Sequence, residues 1–219
     1  MTLLEAIEAR HSVRSFTDRK IGAETAAELL GLIDECNRQS GFNIQLFLNE
    51  PNAFDSRMAH YGSFKNCKNY IALIGDKRED EKCGYYGEKL VLKVQQLGLN
   101  SCWVALSYSK SKVPCTIGKG QKLHAVIAIG YGETQGVPHK TKPMEELCRA
   151  DGEMPEWFKN AMTCAMLAPT AVNQQKFLLT LDNDTVRAKA LTGFYSKMDL
   201  GIVKYHFEIG AGNADFKWA

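Results

Sequence analysis

The spacing of apolar and polar residues predicts a chain that mixes helices with strands. Apolar positions recur at helical intervals in residues 22–37 and 85–98, whereas residues 42–49 alternate as a strand does. The short apolar runs YIALIGD (70–76) and HAVIAIGY (124–131) are typical of strands that are covered on both faces. Both element types therefore contribute to one fold, of the α+β kind.

The two ends of the chain carry signals for further elements. Thr2 and Glu5 have the spacing of a capping box, which predicts a helix that runs to about Arg10. Residues 132–154 are rich in Gly, Pro, Lys and Glu, which predicts a connection over the surface. After it we expect a helix from Pro155, a strand over 176–183 and a last helix near 199–212.

Composition excludes several classes of protein. With 219 residues, 45% of them hydrophobic, the chain can bury a sizeable core, and a formal net charge of +2 gives no case for nucleic acid. No apolar run is long enough to cross a bilayer, so we predict no membrane contact. The seven cysteines form no CxxC pair and predict reduced thiols in the cytoplasm, and the five histidines never show metal-ligand spacing, so no metal is predicted.

The stretch RHSVRSF, residues 10–16, carries the first candidate chemistry. Arg10, Ser12 and Arg14 point to one side only if the chain is extended, because residues i and i+2 diverge on a helix. Two guanidinium groups and a hydroxyl on one side suit a phosphate. The alternative is a solvated basic turn that buries Phe16.

The stretch LAPTAVNQQKF, residues 167–177, carries the second. Small residues and a proline predict a tight turn, and Asn173 and Gln175 at strand spacing would direct two amides the same way. An amide pair suits the polar edge of a flat heterocycle. The alternative is a capped turn that leads into a strand.

An internal echo links this second stretch to an earlier one. SGFNIQLFLNE (40–50) and TAVNQQKFLLT (170–180) both contain Asn-x-Gln followed by an apolar strand, each after a predicted helix. A duplication and a chance match both remain open.

Taken together, RHSVRSF and APTAVNQQ resemble the FMN-dependent nitroreductase family. LGLNSCWVAL (97–106) is similar to the family's segment after its long helix, and GYGETQGVPHKTKPMEEL (130–147) is similar to its Gly-Tyr and Lys-x-Arg-x-Pro segment. The resemblance implies an α+β, nitroreductase-like fold with a central, mostly antiparallel sheet flanked by helices.

The resemblance also implies roles for individual residues. Arg10, His11, Ser12 and Arg14 would hold the phosphate and ribityl chain of FMN, with added charge from Lys140 and Lys142. The flavin ring would meet the backbone near Val104 and Ala105 on one side. The residues implied for its other side are Pro169, Thr170, Ala171 and Asn173, with Gln175 beside them.

One departure from the family pattern concerns the order of the motifs. In the family the Pro-Ser-x-x-Asn turn follows the arginine motif closely and serves the partner subunit's flavin. Here the early position holds only the degraded segment QSGFNIQ (39–45), and the segment that matches the family's turn comes at 169–175. We therefore expect a fused pseudo-dimer, with residues 1–150 carrying the phosphate motif and a smaller half, 151–219, carrying the turn, packed with it as one unit. Such a chain would hold one FMN, as a monomer or a homodimer.

The function implied is transfer of a hydride from NAD(P)H through flavin N5 to a nitroaromatic, a quinone or another conjugated small-molecule acceptor, by a ping-pong scheme. No side chain need act as a catalytic base or nucleophile. GYGETQG is not expected to be a Rossmann loop, because Val137 and Pro138 follow it instead of a helix. The alternatives are a flavin-consuming or dehalogenating relative, or a flavin-binding protein without efficient turnover.

Overall fold

The computed structural model describes residues 1–55 and 57–219, which form two compact units. The first, here called the motif unit, comprises residues 9–79 and 89–138. The second, the turn unit, comprises residues 1–8, 80–88 and 139–219. The elements in chain order are α1 (Leu3–Ala9), α2 (Ala23–Ser40), β1 (Gln45–Phe47), α3 (Arg57–Tyr61), β2 (Tyr70–Asp76), α4 (Asp80–Gln96), β3 (Asn100–Val104), β4 (Gln121–Gly130), α5 (Met144–Leu147), β5 (Cys148–Ala150), α6 (Glu156–Met166), β6 (Phe177–Asp182), β7 (Thr185–Ala190), α7 (Ser196–Ala211) and β8 (Lys217–Trp218).

The motif unit is built on an antiparallel sheet with the strand order β1-β2-β4-β3. The two central strands are the apolar runs that the sequence pattern picks out, and they are buried along almost their whole length. Beside the sheet, α2 buries Leu29 and Ile33 along one side. Ion pairs from Lys89 and Lys93 tie α4 to glutamates of α2. The core around Tyr70 contains Ala72 and Val126 of the central strands together with Val13 and Phe16.

The turn unit has a second sheet, in the order β5-β6-β7-β8. A hairpin joins β6 to β7, and its outer neighbours β5 and β8 add in parallel. Phe158 of α6 and Phe207 of α7 are fully buried with their rings 5.5 Å apart. Trp218 extends this aromatic cluster from β8 and donates its indole N–H to Glu208 at 2.8 Å.

Two glycines let helices approach closely within the turn unit. A Cβ on Gly84 of α4 would collide with the carbonyl of Met198, and a Cβ on Gly201 of α7 would collide with the carbonyl of Glu81. Gly84 thus faces Met198, three residues before Gly201, and Gly201 faces Glu81, three residues before Gly84. The contact is reciprocal, as between two copies of one helix.

The sequence pattern locates most elements and misjudges some lengths. The capping box forms, with Thr2 N–H donating to Glu5 at 2.7 Å and Glu5 N–H to the Thr2 hydroxyl at 3.2 Å. The strand predicted over 42–49 shrinks to Gln45–Phe47, and the connection predicted over 132–154 contains α5 and β5. β5 escaped notice because three residues that pair only with a distant strand carry no periodic signal.

The mixed architecture and the mostly antiparallel pairing agree with the fold class predicted from sequence. The division after residue 150 stays a prediction.

Candidate functional site

The arginine-motif segment leaves α1 and runs extended through the motif unit. Val13 N–H donates to the carbonyl of Ser101 in β3 at 3.0 Å, and Ser12 and Ser101 form a parallel bridge. On its other edge, Phe16 N–H and the carbonyl of Arg14 bond to the backbone of Lys65. This pairing holds the chain in the straightened form that the alternate spacing requires, and it buries Val13 and Phe16 as anchors.

The thiol of Cys102 in β3 is hydrogen-bonded with Ser12 and lies within the electrostatic influence of Arg10 and Arg14. Burial raises the pKa of this thiol, while the charges of Arg14 and Arg10 and a hydrogen bond with Ser12 oppose the rise. Arg10 is buried, with 4% exposed, whereas Arg14 and Ser12 reach solvent. The two arginines and the serine thus stand at alternate positions on a segment whose backbone pairs with Ser101 of β3.

The glycine-containing loop 130–136 lies against this segment. Thr17 N–H donates to the carbonyl of Tyr131 at 2.8 Å, and Glu133 N–H donates to that of Ser15 at 3.0 Å. A Cβ on Gly132 would stand 2.9 Å from Val13 Cγ1, and a Cβ on Gly136 would stand 2.8 Å from the Cβ of His11. The loop therefore belongs to the framework of the arginine motif and does not start a dinucleotide-binding helix.

Asn100 is part of that framework and was not singled out from sequence. Its carbonyl oxygen accepts the N–H of Gly132 at 2.9 Å, and its amide nitrogen donates to Gln135 at 3.0 Å. The side chain is buried, with 3% exposed. No local pattern indicates this role, because both partners lie more than thirty residues away.

Val104 and Ala105 lie where β3 ends, on the strand that pairs with the motif. Val104 is the last residue of β3 and is buried, while Ala105 is half-buried and Leu106 after it is exposed. The chain therefore leaves the sheet at Ala105, and the role that the resemblance implies for these two residues at the flavin stays a prediction.

The second candidate segment, residues 169–175, forms a constrained turn in the turn unit. Ala171–Asn173 make a short 3-10 turn after Thr170, and Val172, Asn173 and Gln175 all have positive φ, between 47° and 53°. Positive φ is unusual for a β-branched residue such as Val172, whose side chain is 89% exposed. Such a turn persists only where its surroundings hold it.

Two side chains of the turn bond to residues 140–142. The amide nitrogens of Asn173 and Gln175 both donate to the carbonyl of Lys140, each at 2.9 Å. The carbonyl oxygen of Gln175 accepts the N–H of Lys142 at 2.8 Å. Gln175 is buried, with 3% exposed, so its amide contacts this backbone and the neighbouring Asn173.

Asp199 of α7 stabilises the turn at residues 169–175 by hydrogen bonds. Its carboxylate accepts the N–H of Ala171 at 3.0 Å and the side-chain amide of Gln174 at 2.9 Å. Burial raises the pKa of Asp199 to about 6, and the bonds from Gln174 and Ala171 oppose the rise. Sequence analysis missed Asp199, because a single aspartate in the first turn of a helix usually serves the helix alone.

Each unit also has an open cleft. The cleft of the motif unit has a volume of about 500 Å³. It is lined by Ser15, Phe54, Phe64, Lys65, Asn66 and Lys68, among others. That of the turn unit, about 640 Å³, lies by β5 and is lined by Met144, Met154, Cys148 and Arg149 among others.

Two further findings hold for residues 1–55 and 57–219. Within these ranges no group of three His, Cys, Asp or Glu side chains is arranged to hold a metal ion. No helix of the described chain has the length and apolar character that a membrane span needs.

Comparison with solved structures identifies the class of fold. A Thermotoga maritima MSB8 protein described as a "putative nitroreductase" superposes with a TM-score of 0.70 at 22% identity, covering 96% of this chain and 83% of its own. A "putative nitroreductase in complex with FMN" from Desulfovibrio desulfuricans gives 0.53 at 18% identity, covering 71% and 98%. A Parabacteroides distasonis ATCC 8503 protein described as "Putative NADH dehydrogenase/NAD(P)H nitroreductase" gives 0.52 at 19%, covering 66% and 95%. The fold is thus that of the nitroreductases.

The family follows from a match over almost the whole chain. The model of the family described as "Putative TM nitroreductase" matches residues 2–211, and the chain belongs to this family. Comparison with curated proteins gave no match.

Proposed function

We propose that the protein is an FMN-dependent oxidoreductase that passes a hydride from NAD(P)H to a nitroaromatic, a quinone or another conjugated acceptor, in a ping-pong sequence. The proposal extends the family membership to a cofactor, a reductant and a class of substrate.

The observation that carries the proposal is the extended pairing of this segment with Ser101 and Lys65, which holds Arg10, Ser12 and Arg14 at alternate positions of a straightened chain. Two fixed positive charges and a hydroxyl match the oxygens of a phosphate monoester. The burial of Arg10 favours a specific, partnered site over a fully solvated basic turn. The residues present therefore fit the phosphate end of FMN.

The related structures support the cofactor and the reductant. The Desulfovibrio desulfuricans protein is described as a complex with FMN, and the Parabacteroides distasonis protein carries NADH and NAD(P)H in its description. We extend both properties to this chain as part of the proposal.

The chain's own residues would bind and orient the cofactor. Arg10, His11, Ser12 and Arg14 would hold its phosphate and ribityl chain, with Lys140 and Lys142 adding charge. The backbone at Val104 and Ala105 and the turn Pro169, Thr170, Ala171 and Asn173 would border the ring. When bound, FMN supplies hydride acceptance and donation at N5, so that no side chain has to supply a catalytic base.

Three further parts of the proposal concern stoichiometry, assembly and location. The arginine motif occurs once in the sequence, so we propose one FMN per chain, with halves 1–150 and 151–219 forming a pseudo-dimer. A cytoplasmic location follows from the reduced cysteines that the sequence predicts.

The first experiment is a visible absorption spectrum of the purified protein, with the released chromophore measured against protein. We expect flavin bands at about one FMN per chain and steady oxidation of NADH or NADPH with menadione or a nitrofuran. Bound FMN without turnover would instead indicate the storage or sensing alternative. A protein that neither contains nor takes up FMN would overturn the proposal.

A further inference from the structure

The open cleft of the motif unit is separate from the arginine side chains assigned to the phosphate of FMN. Among the described residues, its lining includes Ser15 but not Arg10 or Arg14. The cleft nevertheless adjoins the arginine motif, because Lys65 lines it and bonds through its backbone to Phe16 N–H and to the carbonyl of Arg14. With a volume of about 500 Å³, it has the size of a small-molecule site and lies within one unit.

The lining of this cleft combines aromatic rings with amino groups. Phe54 and Phe64 are almost fully buried, with their ring centroids 5.0 Å apart. Lys65 and Lys68 stand beside them in the lining, and Asp55 is the one acidic residue among the described lining residues. Aromatic surface next to an excess of positive charge suits a ligand that joins a flat heterocycle to an anionic group.

Both ammonium groups of the cleft pair with carboxylates at the surface. Lys65 Nζ lies 3.0 Å from Glu133, and Lys68 Nζ lies 2.8 Å from Asp18, whose side chain is 84% exposed. Exposed ion pairs contribute little to stability, because water and salt screen them. A phosphate group has more charge and more acceptor oxygens than a carboxylate, so it can take over these ammonium groups at small cost.

We propose that the motif-unit cleft binds the adenosine end of NADPH, with Lys65 and Lys68 as the partners of its 2′-phosphate. Phe54 and Phe64 would contact the adenine. This inference rests on the proposed function, which names NADH and NADPH as reductants without choosing between them. The two differ only in the 2′-phosphate, so a site for that group decides which one is preferred. We therefore expect the protein to prefer NADPH.

The first test measures binding of nucleotides without the nicotinamide. FMN-loaded protein is titrated by calorimetry with 2′,5′-ADP, with 5′-AMP, which lacks the 2′-phosphate, and with ADP, which carries two phosphates at the 5′ position. We expect 2′,5′-ADP to bind at least about tenfold more tightly than either of the others. Flavin fluorescence of the filtrate shows whether FMN stays on the protein, as we expect.

The second test compares lysine variants. Lys68→Met removes one ammonium group and keeps an apolar stem, so 2′,5′-ADP should bind about tenfold more weakly and the ratio of KM for NADH to KM for NADPH should fall by a similar factor. Lys65→Met should act in the same direction. Lys77→Met is the matched control, because Lys77 is an exposed lysine of the same unit beyond the other end of β2, and it should leave both quantities unchanged.

The outcomes separate this inference from the proposed function. FMN-loaded protein that oxidises neither NADH nor NADPH overturns the proposed function and the inference with it. Turnover with equal KM for NADH and NADPH, or a Lys68→Met protein that behaves like Lys77→Met, overturns the cleft assignment alone. ADP binding as tightly as 2′,5′-ADP would mean general attraction of anions, and release of FMN by 2′,5′-ADP would mean binding at the flavin site; either overturns it as well. A selective loss for NADPH and 2′,5′-ADP in Lys68→Met supports it.

Discussion

Asp199 accepts the backbone N–H of Ala171, with its two carboxylate oxygens 3.0 and 3.2 Å from that nitrogen, and both partners belong to the turn unit. The carboxylate is almost fully buried. It supports a turn in which three residues have positive φ. A buried acid below a strained turn couples the stability of this region to pH.

The first prediction concerns that coupling. Burial raises the pKa of Asp199 from its ordinary value of 3.8 to about 6, so the folded chain binds more protons than the unfolded chain between these values. The contribution of Asp199 to the free energy of unfolding is therefore greatest below about pH 4 and is lost as pH rises through 6. The whole effect is at most about 3 kcal/mol.

Urea unfolding of the unsubstituted protein and of Asp199→Asn between pH 4 and pH 7 measures this contribution. We expect the difference in unfolding free energy between the two proteins to change across this window. Asp215→Asn, which removes an exposed carboxylate from the same unit, should show no such change. An identical pH dependence in Asp199→Asn and the unsubstituted protein would refute the coupling.

The second prediction concerns the arginine motif. Arg10→Ala with Arg14→Ala removes two expected charge-assisted contacts, each worth about 1.5–3 kcal/mol, so FMN should bind at least about a hundredfold more weakly and be lost on dialysis. Arg78→Ala is the control, since Arg78 lies in the same unit with its side chain 89% exposed and pairs with Asp76. Unchanged flavin content in the double variant would remove the phosphate assignment.

Features formed by residues that are close in the sequence could be predicted from it, and features formed by distant residues could not. The capping box of Thr2 and Glu5 and the extended spacing from Arg10 to Arg14 depend on neighbouring residues, and both were readable from the sequence. Asn100 depends on partners more than thirty residues away, so no pattern could identify it.

The strand over 42–49 was overestimated for a related reason. Alternation predicts eight residues, but the side chains of Asn43 and Gln45 bond to Thr116 and the paired strand is only Gln45–Phe47. The echo of Asn-x-Gln was visible in the sequence, whereas the hydrogen bonds of its glutamines to Thr116 and to Lys140 depend on distant backbone. Sequence alone therefore locates motifs better than it assigns their partners.

The third prediction concerns the loop that supports the arginine motif. A Cβ on Gly132 would stand 2.5 Å from the carbonyl oxygen of Thr134 and 2.8 Å from Asn100 Oδ1, in addition to its contact with Val13. Gly132→Ala must therefore shift the loop or the motif, at a cost of about 1–3 kcal/mol in stability.

FMN affinity and urea unfolding of Gly132→Ala would check this prediction together. We expect both to fall, because the loop pairs directly with the segment that carries Arg14. Gly31→Ala is the control, since Gly31 lies in α2 of the same unit with nothing within 4 Å of an added Cβ. A Gly132→Ala protein that binds FMN and unfolds like the unsubstituted one would show that the loop does not constrain the motif.

The fourth prediction concerns the reciprocal helix contact in the turn unit. An alanine at an open position inside a helix stabilises it by about 1 kcal/mol relative to glycine, so Gly31→Ala should raise the unfolding free energy. Gly84→Ala and Gly201→Ala should lower it instead, by about 1–3 kcal/mol or more, because each new methyl group meets a backbone carbonyl of the facing helix. The change of sign therefore separates steric contact from helix propensity.

Urea unfolding of the three single variants measures these changes in unfolding free energy. Because Gly84 faces Met198 and Gly201 faces Glu81 in the same way, the losses in Gly84→Ala and Gly201→Ala should be similar in size. Stability gains in Gly84→Ala or Gly201→Ala like that of Gly31→Ala would mean that the two helices do not pack this closely.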